Sequence, residues 1–250
     1  MEDPRAPAVR LAVIGDIHAH LRFLGRVLER IARESVDGIL LVGDIGAGGR
    51  RLTLLGKLDR AYFASVDQVF AAVRALSLPC LWVPGNHDDP GLSGEGNVDF
   101  TCAAIAGLRV AGVGGAGPAR FGFAYEWSED SIRARSVPGC DVLLCHSPPF
   151  DTELDRVPSG DHVGSAALRE LALRHDGVYV CGHIHESPGA VVLGRSLCMN
   201  VGGLGEPFGR PQLGFIERSD SIPGGWRVIH EDLASGLVRS WTRAGGQEAR

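Results

Sequence analysis

The stretch VRLAVIGDIHAHLRFLGRVLERI, residues 9–31, decides the fold. Residues 9–14 are mostly β-branched and aliphatic and are followed by Gly15, which is typical of a buried strand. In residues 21–31 the apolar side chains recur every three or four positions with charged residues between them, which is the pattern of an amphipathic helix. The stretch therefore predicts the first half of a βαβ unit.

The same alternation of strand and helix continues along the chain. Further strands are predicted at 39–42, 80–83, 108–113, 142–145 and 178–181, and further helices at 61–76 and 165–174. This order is typical of a mostly parallel sheet with helices on its faces. After these, only short strands are predicted, at 190–193, 197–201, 213–217 and 226–229. The late strands indicate an antiparallel second sheet within the same domain.

The composition is that of an ordinary globular domain. Of the 250 residues, 44% are hydrophobic and 22% are charged, so the chain can bury a sizeable core. We predict a single domain over residues 9–243, with flexible tails at 1–8 and 244–250. The formal net charge of −5 gives no reason to expect an extended nucleic-acid surface, because such a surface needs clustered Lys and Arg.

Cysteine usage and hydropathy bear on the location of the protein. The six cysteines form no C-x-x-C pair and mostly lie in apolar runs, which is typical of buried free thiols. Residues 1–10 lack the apolar segment of a secretory signal, and no stretch approaches the ~18 apolar residues of a membrane span. These features predict a soluble cytoplasmic protein without a membrane partner.

Polar residues follow five of the predicted strands. The segments are GDIH at 15–18, GDIG at 43–46, GNHD at 85–88, His146, and GHIH at 182–185. In α/β sheets, ligands bind in the crevice outside the carboxyl ends of the strands. We therefore expect these five segments, which are far apart in the chain, to converge on one site.

The side chains in these segments have the chemistry of a metal site. Seven of them supply carboxylate, amide or imidazole donors: Asp16, His18, Asp44, Asn86, His146, His183 and His185. Such donors suit Mn²⁺, Fe²⁺/Fe³⁺ or Zn²⁺. Seven donors are too many for one tetrahedral ion, but with one bridging carboxylate they supply two ions at a separation of roughly 3.5–4 Å. The sequence therefore predicts two metal ions as the cofactor.

The ordered set GDIH, GDIG, GNHD, a lone His in CHSPP, and GHIH resembles the five signatures of the calcineurin-like metallophosphoesterases. The resemblance covers residues 11 to about 203. It implies an α/β fold, a four-layer αββα sandwich with two mixed β-sheets flanked by helices. Each tetrapeptide alone is weak evidence, whereas the ordered set at successive strand ends is specific.

The resemblance also implies a role for each residue of the site. It assigns Asp16, His18 and His185 to the first metal and Asn86, His146 and His183 to the second. It makes Asp44 the bridge between the metals. His87 becomes a catalytic imidazole rather than a ligand.

The activity implied is hydrolysis of a small phosphorylated substrate, a phosphomonoester or small phosphodiester, by attack of a metal-bridging hydroxide. In this reaction His87 would protonate or stabilise the leaving alkoxide. Asp88 or Asp89 is expected to orient the His87 ring as a supporting group. Two other functions stay open, a non-catalytic binding scaffold on the same fold and a nuclease of the superfamily. The nuclease would need a basic groove or an added domain.

The chain departs from the family pattern at two positions. Ala19 stands where the first signature usually continues with Gly. The segment GDIGAGG at 43–49 lacks the Asp-Arg that follows in the protein-phosphatase branch. Protein phosphatase activity is therefore not expected.

Several residues outside the signatures have both a structural and a functional interpretation. His162 could face the substrate, and Arg50 and Arg51 could bind phosphate, although a solvated pair is the simpler interpretation. The glycine- and aromatic-rich loop 112–127 could form a wall of the pocket through Phe121 or Trp127. The three other histidines outside the signatures are interpreted as structural or solvated: His20, His175 and His230.

Overall fold

The computed structural model describes residues 9–47, 59–205, 210–244 and 247–249. Within these residues the chain forms four α-helices: α1 (Leu21–Ile31), α2 (Arg60–Arg74), α3 (Glu129–Arg133) and α4 (Ala166–Arg174). The thirteen strands are β1 (Val9–Ile14), β2 (Gly38–Leu41), β3 (Cys80–Trp82), β4 (Cys102–Ile105), β5 (Leu108–Val113), β6 (Val142–Cys145), β7 (Val178–Cys181), β8 (Gly189–Leu193), β9 (Ser196–Asn200), β10 (Gln212–Arg218), β11 (Trp226–Asp232), β12 (Leu237–Thr242) and β13 (Gln247–Ala249). None of the described helices is long and apolar enough to cross a membrane.

The strands form two mixed sheets. The first has seven strands in the order β13-β12-β11-β10-β1-β2-β3, and β1, β2 and β3 run parallel. The second has six strands in the order β4-β5-β6-β7-β9-β8, and β5, β6, β7 and β9 run parallel. The parallel strands of both sheets include those that precede the polar segments, so the two sheets together can build one site.

Strand β1 shows how the layers arise. Successive side chains of a strand point to opposite faces of its sheet. Leu11 and Val13 lie in the core between the two sheets, whereas Ala12 and Ile14 pack against α1 and α2. Helices α3 and α4 cover the outer face of the second sheet. The result is the expected four-layer αββα sandwich of two mixed sheets, and this prediction is confirmed.

Helix α1 anchors the loop that leads out of β1. Its buried side chains lie on one face and are Leu24, Val27, Leu28 and Ile31. Fully burying a large apolar side chain contributes about 1.5–3 kcal/mol, so this face holds the helix firmly on the first sheet. The loop at residues 15–20 is thereby fixed at both ends, by β1 and by α1.

The sequence pattern located strands but not all of their partners. The predicted elements are present, with ends shifted by at most three residues. The prediction that the late strands form a separate antiparallel sheet is wrong. Strand β10 pairs with β1 in the first sheet, and β9 runs parallel to β7 in the second. Elements β4, α3, β12 and β13 were not predicted. Strand β4 is short and rich in alanine, and α3 is little more than one turn long, so neither carries a clear period.

The predicted domain limits stay a prediction. Residues 1–8 lie outside the described part of the chain. At the other end, β13 pairs with β12, so the first sheet continues beyond the predicted limit at residue 243.

Gly25 offers a test of the packing of α1. A Cβ atom at this position would meet no atom within 4 Å, and glycine inside a helix costs roughly 0.5–1 kcal/mol relative to alanine. We expect Gly25→Ala to raise the free energy of unfolding, measured in urea, by about this amount.

Gly112→Ala is the matched contrast, because its Cβ would overlap the Val83 side chain between the sheets. It should lower the free energy of unfolding. A destabilised Gly25→Ala variant would contradict the open space seen at α1.

Candidate metal centre

The polar segments converge at one edge of the sandwich. Those after β1, β2 and β3 leave the carboxyl ends of parallel strands in the first sheet, and those after β6 and β7 leave the second. Backbone hydrogen bonds join neighbouring segments: the His18 N–H donates to the Asp44 carbonyl at 2.7 Å, and the Gly182 N–H donates to the His146 carbonyl at 3.0 Å. The expected convergence on one site is therefore present in the structure.

A first group of donors comes from the loops after β1 and β7. Asp16, His18 and His185 each offer a ligand atom, and these atoms lie within 4.8 Å of one another. The Nε2 atom of His185 is 2.9 Å from Oδ1 of Asp16. This is the trio that the resemblance assigns to the first metal.

A second group lies on the other side of Asp44. The Nε2 atom of His146 is 2.8 Å from Oδ1 of Asn86, and the rings of His146 and His183 are 5.0 Å apart between centroids. The His146 Nδ1 atom lies 2.7 Å from the Val42 carbonyl oxygen. This contact orients the ring with Nε2 toward Asn86, and such a bond from the other ring nitrogen is typical of imidazoles that bind metal ions.

Asp44 lies between the two groups. Its Oδ2 atom is 3.4 Å from Nε2 of His18 and 3.7 Å from Nε2 of His146. Ligand atoms of Asp16, Asp44 and His146 also lie within 4.8 Å of one another. Asp44 therefore lies near donors of both groups, and so does Asp16.

Four of the predicted ligands have a left-handed backbone. The φ angles are 48° at Asp16, 45° at His18, 50° at Asp44 and 67° at His183. Residues other than glycine rarely adopt this backbone conformation, and those that do cluster at functional sites. These turns follow β1, β2 and β7 directly, at the edge where the polar segments converge.

Two glycines let backbone N–H groups reach the carboxylates. A Cβ at Gly85 would overlap Oδ1 of Asp44, and a Cβ at Gly182 would overlap Oδ2 of Asp16. The residue after Gly182, His183, donates its N–H to Asp16 at 2.9 Å. In the GNHD segment, His87 donates its N–H to Asp44, also at 2.9 Å. The glycines of these segments therefore have a steric role.

The buried charges of the site stabilise one another. Burial alone would raise the pKa of Asp44, but the imidazoles of His146 and His18 hold that pKa well below its ordinary value. Burial works against the charged form of His185, yet Asp16 raises its pKa to about 9. Burial, aided by His146, lowers the pKa of His183 to about 3. The ionised carboxylates and the neutral imidazole of His183 are forms that bind metal ions, whereas His185 would have to release its proton to bind one.

His87 faces the cavity beside these groups. Its ring lies 5.2 Å from the His18 ring and 4.2 Å from the Phe123 ring, between centroids. Its Nδ1 atom is buried and has no hydrogen-bond partner among the described residues. Since buried polar atoms normally have a partner, an unpaired ring nitrogen here is typical of a functional site.

The expectation that Asp88 or Asp89 orients the His87 ring is wrong. Asp88 is buried and accepts hydrogen bonds from the N–H groups of Ile45, Gly46 and Gly85 and from the Tyr62 hydroxyl. Asp89 accepts from the Gly91 N–H. Asp88 therefore fixes the loops after β2 and β3, and it is Phe123 that packs on the His87 ring. Tyr62 lies on α2, and no motif marked it.

The remaining candidates differ in their positions. The Nδ1 atom of His162 is 2.7 Å from Oδ1 of buried Asp155, and His162 is not among the described residues that line the cavity. His20 does line the cavity, although no sequence pattern marked it for this position. His175 and His230 lie outside this lining. Arg50 and Arg51 lie outside the described residues.

The loop at 112–127 forms a wall of the cavity, which has a volume of about 580 Å³. Phe121 and Phe123 line it, together with Arg120 and Glu126. Trp127 is buried instead and donates its Nε1–H to the Gly114 carbonyl at 2.8 Å. Of the two aromatic residues considered from the sequence, Phe121 faces the cavity and Trp127 packs behind it.

Comparison with known proteins agrees with this geometry. A model described as calcineurin-like phosphoesterase matches residues 9–187. No curated protein is significantly similar to the chain in sequence. Because the family depends on metal ions and the structure holds candidate ligand groups, the match supports a metal-dependent hydrolase.

Solved structures share the fold at low sequence identity. A dimetal phosphatase from Danio rerio is 14% identical with a TM-score of 0.60, covering 91% of this chain and 96% of that chain. The protein TT1561 of Thermus thermophilus is 16% identical with a TM-score of 0.58, covering 94% of this chain and 99% of that chain. Yfce, a phosphoesterase from E. coli, is 16% identical with a TM-score of 0.50, covering 96% and 99%. At these identities the likeness shows the fold alone.

Gly85→Ala tests the close approach to Asp44. The added Cβ would overlap both the carboxylate and the backbone N of Asp44, so Asp44 must move. We expect weaker Mn²⁺ binding in calorimetry and a loss of about 1–3 kcal/mol in the free energy of unfolding. In the control Gly91→Ala, the nearest atom is Oδ1 of Asp89 at 3.1 Å. Unchanged Mn²⁺ affinity in Gly85→Ala would contradict the steric role.

Asp88→Asn tests the loop-fixing role of Asp88. An amide NH₂ in place of one carboxylate oxygen cannot accept the N–H groups that converge there, so one or more stay unsatisfied at a cost of about 1–3 kcal/mol. The urea midpoint should fall accordingly. The control is Asp89→Asn, whose carboxylate accepts only the Gly91 N–H among the described bonds. Equal effects of the two changes would show that Asp88 is not the central acceptor.

Proposed function

The chain belongs to the calcineurin-like phosphoesterase family, and we propose that it uses two metal ions to hydrolyse a phosphomonoester or a small phosphodiester. The observation that supports this most directly is the pair of ligand groups that meet at Asp44 beside the cavity. The proposed location is the cytoplasm, on the basis of the sequence features alone. The proposed partner is a small phosphorylated molecule.

The residues present fit such a centre. Asp16, His18 and His185 would hold one ion, Asn86, His146 and His183 would hold the other, and Asp44 would bridge them. The donors are oxygen and imidazole nitrogen, so Mn, Fe or Zn ions are the best match. When bound, two such ions lower the pKa of a shared water and neutralise charge on the phosphoryl oxygens.

The residues of the chain position the reacting groups. Asp16 and Asp44 are fixed by N–H groups and imidazoles, so the centre needs little rearrangement during the reaction. Hydrolysis forms a bond from the water oxygen to phosphorus and breaks the bond from phosphorus to the ester oxygen. His87 supplies the proton that the departing oxygen takes up. The contacts of its ring with His18 and Phe123 keep it at the cavity wall.

The two alternatives find less support. A binding scaffold would be favoured by a missing ligand, yet all seven predicted ligands and His87 are brought together. A nuclease would be favoured by a basic groove. Arg120 is the single Lys or Arg among the described residues that line the cavity.

The purified protein loaded with Mn²⁺ should hydrolyse p-nitrophenyl phosphate or its bis ester. If the protein binds metal but hydrolyses neither compound, the non-catalytic binding scaffold is favoured.

His87→Ala tests the acid role. General acid catalysis contributes typically 10²–10⁴-fold, and its benefit is largest for a poor leaving group. We therefore expect kcat/KM to fall more for ethyl phosphate than for p-nitrophenyl phosphate, with the Mn²⁺ content unchanged. Phosphate release and metal analysis measure the two quantities.

The control for this prediction is His175→Gln, because His175 lies before β7, at the end of the strand opposite the site. His175→Gln should leave the ratio of the kcat/KM values for ethyl phosphate and p-nitrophenyl phosphate unchanged. Loss of bound metal together with activity in His87→Ala would contradict the assigned role.

A further inference from the structure

A row of three rings leads from the metal centre to the rim of the cavity. The His87 and Phe123 centroids are 4.2 Å apart, and the Phe123 and Phe121 centroids are 5.9 Å apart. Both spacings are within or near the range of favourable ring contacts. Phe121, at the outer end, is 67% exposed. An apolar ring is thus presented to solvent at the entrance of the cavity.

The loop that carries this ring is held in place. The Glu126 carboxylate accepts hydrogen bonds from three successive N–H groups, those of Phe121, Gly122 and Phe123, at 3.2, 2.7 and 3.3 Å. At the base of the loop, the Ala119 N–H donates to the Trp127 carbonyl at 2.9 Å. An exposed phenylalanine on a preorganised loop is suited to contact a ligand, because the loop loses little conformational entropy on binding.

The loop is also coupled to the metal centre. The Tyr125 N–H donates to the carbonyl of Asn86 at 3.0 Å, and Asn86 is one of the proposed metal ligands. The position of the Phe121 ring is therefore set relative to the place where phosphate would bind. Such coupling is what a pocket for the rest of the substrate requires.

The other lining residues indicate the chemistry of that group. Apart from the metal-centre side, the described lining includes the aliphatic side chains of Val157, Val163 and Ile184. Arg120 and Glu126 are the charged residues of the loop that line it, and they have opposite signs. A second anionic group on the substrate would find no concentration of positive charge among these described residues. An uncharged flat ring would find apolar contacts.

From these observations we propose that the alcohol part of the substrate carries an aromatic ring that packs against Phe121. This inference rests on the proposed phosphoesterase function and narrows its substrate class to phosphate esters of aromatic or arylalkyl alcohols. Phe121 is then a specificity-determining residue, and Glu126 is a positioning residue that acts through the loop.

Benzyl phosphate and ethyl phosphate provide the test. Their leaving alcohols are similar in basicity, so a difference in kcat/KM reports the ring rather than the chemical step. With the Mn²⁺-loaded protein, we expect a clear preference for benzyl phosphate. In Phe121→Ala the ratio of the two kcat/KM values should fall about tenfold, which corresponds to roughly 1.4 kcal/mol. Phe121→Tyr keeps the ring and should keep most of the preference.

Phe63→Ala is the matched control, because Phe63 is another exposed phenylalanine, 40% accessible, on α2 and outside the described lining of the cavity. It should leave the ratio as in the unaltered protein. A ratio near one, or a ratio that Phe121→Ala does not lower, would overturn the inference and leave the phosphoesterase function standing.

Binding of benzylphosphonate, measured by calorimetry, separates the inference from the proposed function. If neither of these monoesters nor the bis ester of p-nitrophenyl phosphate is hydrolysed, the function fails. The ring site still stands if benzylphosphonate binds more tightly than ethylphosphonate and Phe121→Ala removes the difference. Equal binding of the two phosphonates would overturn the inference as well.

Discussion

Two carboxylates, Asp16 and Asp44, are almost fully removed from water, with exposures of 0% and 2%. Burying an anion is costly unless charges or hydrogen bonds compensate it. Here imidazoles surround both carboxylates, and N–H groups that only glycine allows to approach donate to them. These contacts join turns at the strand ends of both sheets beside the cavity. It is a site that divalent cations would stabilise further.

The sandwich explains why five distant segments can build one site. In each sheet, parallel strands release their following loops at the same edge, and the apolar core between the sheets brings the two edges together. Each sheet supplies its own subset of the proposed ligands. The first sheet supplies Asp16, His18, Asp44 and Asn86, and the second supplies His146, His183 and His185. The loop after β5 then adds an apolar wall beside the proposed phosphate position.

Much of this could be predicted from the sequence. Period and composition located the principal strands and helices, and the ordered signatures selected the donors that the structure brings together. The strand partners were not predictable, because a short apolar run such as β10 does not encode which edge it will join. Asp88 was misassigned for a similar reason, since sequence adjacency to His87 suggested a contact that the turn directs elsewhere. His20, Tyr62 and Phe123 carry no pattern, because their roles come from tertiary contacts alone.

Electron paramagnetic resonance of the Mn²⁺-loaded protein tests the proposed binuclear centre most directly. Two Mn²⁺ ions joined by Asp44 at roughly 3.5–4 Å should couple magnetically and give an exchange-broadened spectrum at two ions per chain. Asp44→Asn should weaken this coupling. A six-line spectrum of isolated Mn²⁺ at saturation, or binding of a single ion per folded chain, would contradict the proposed centre.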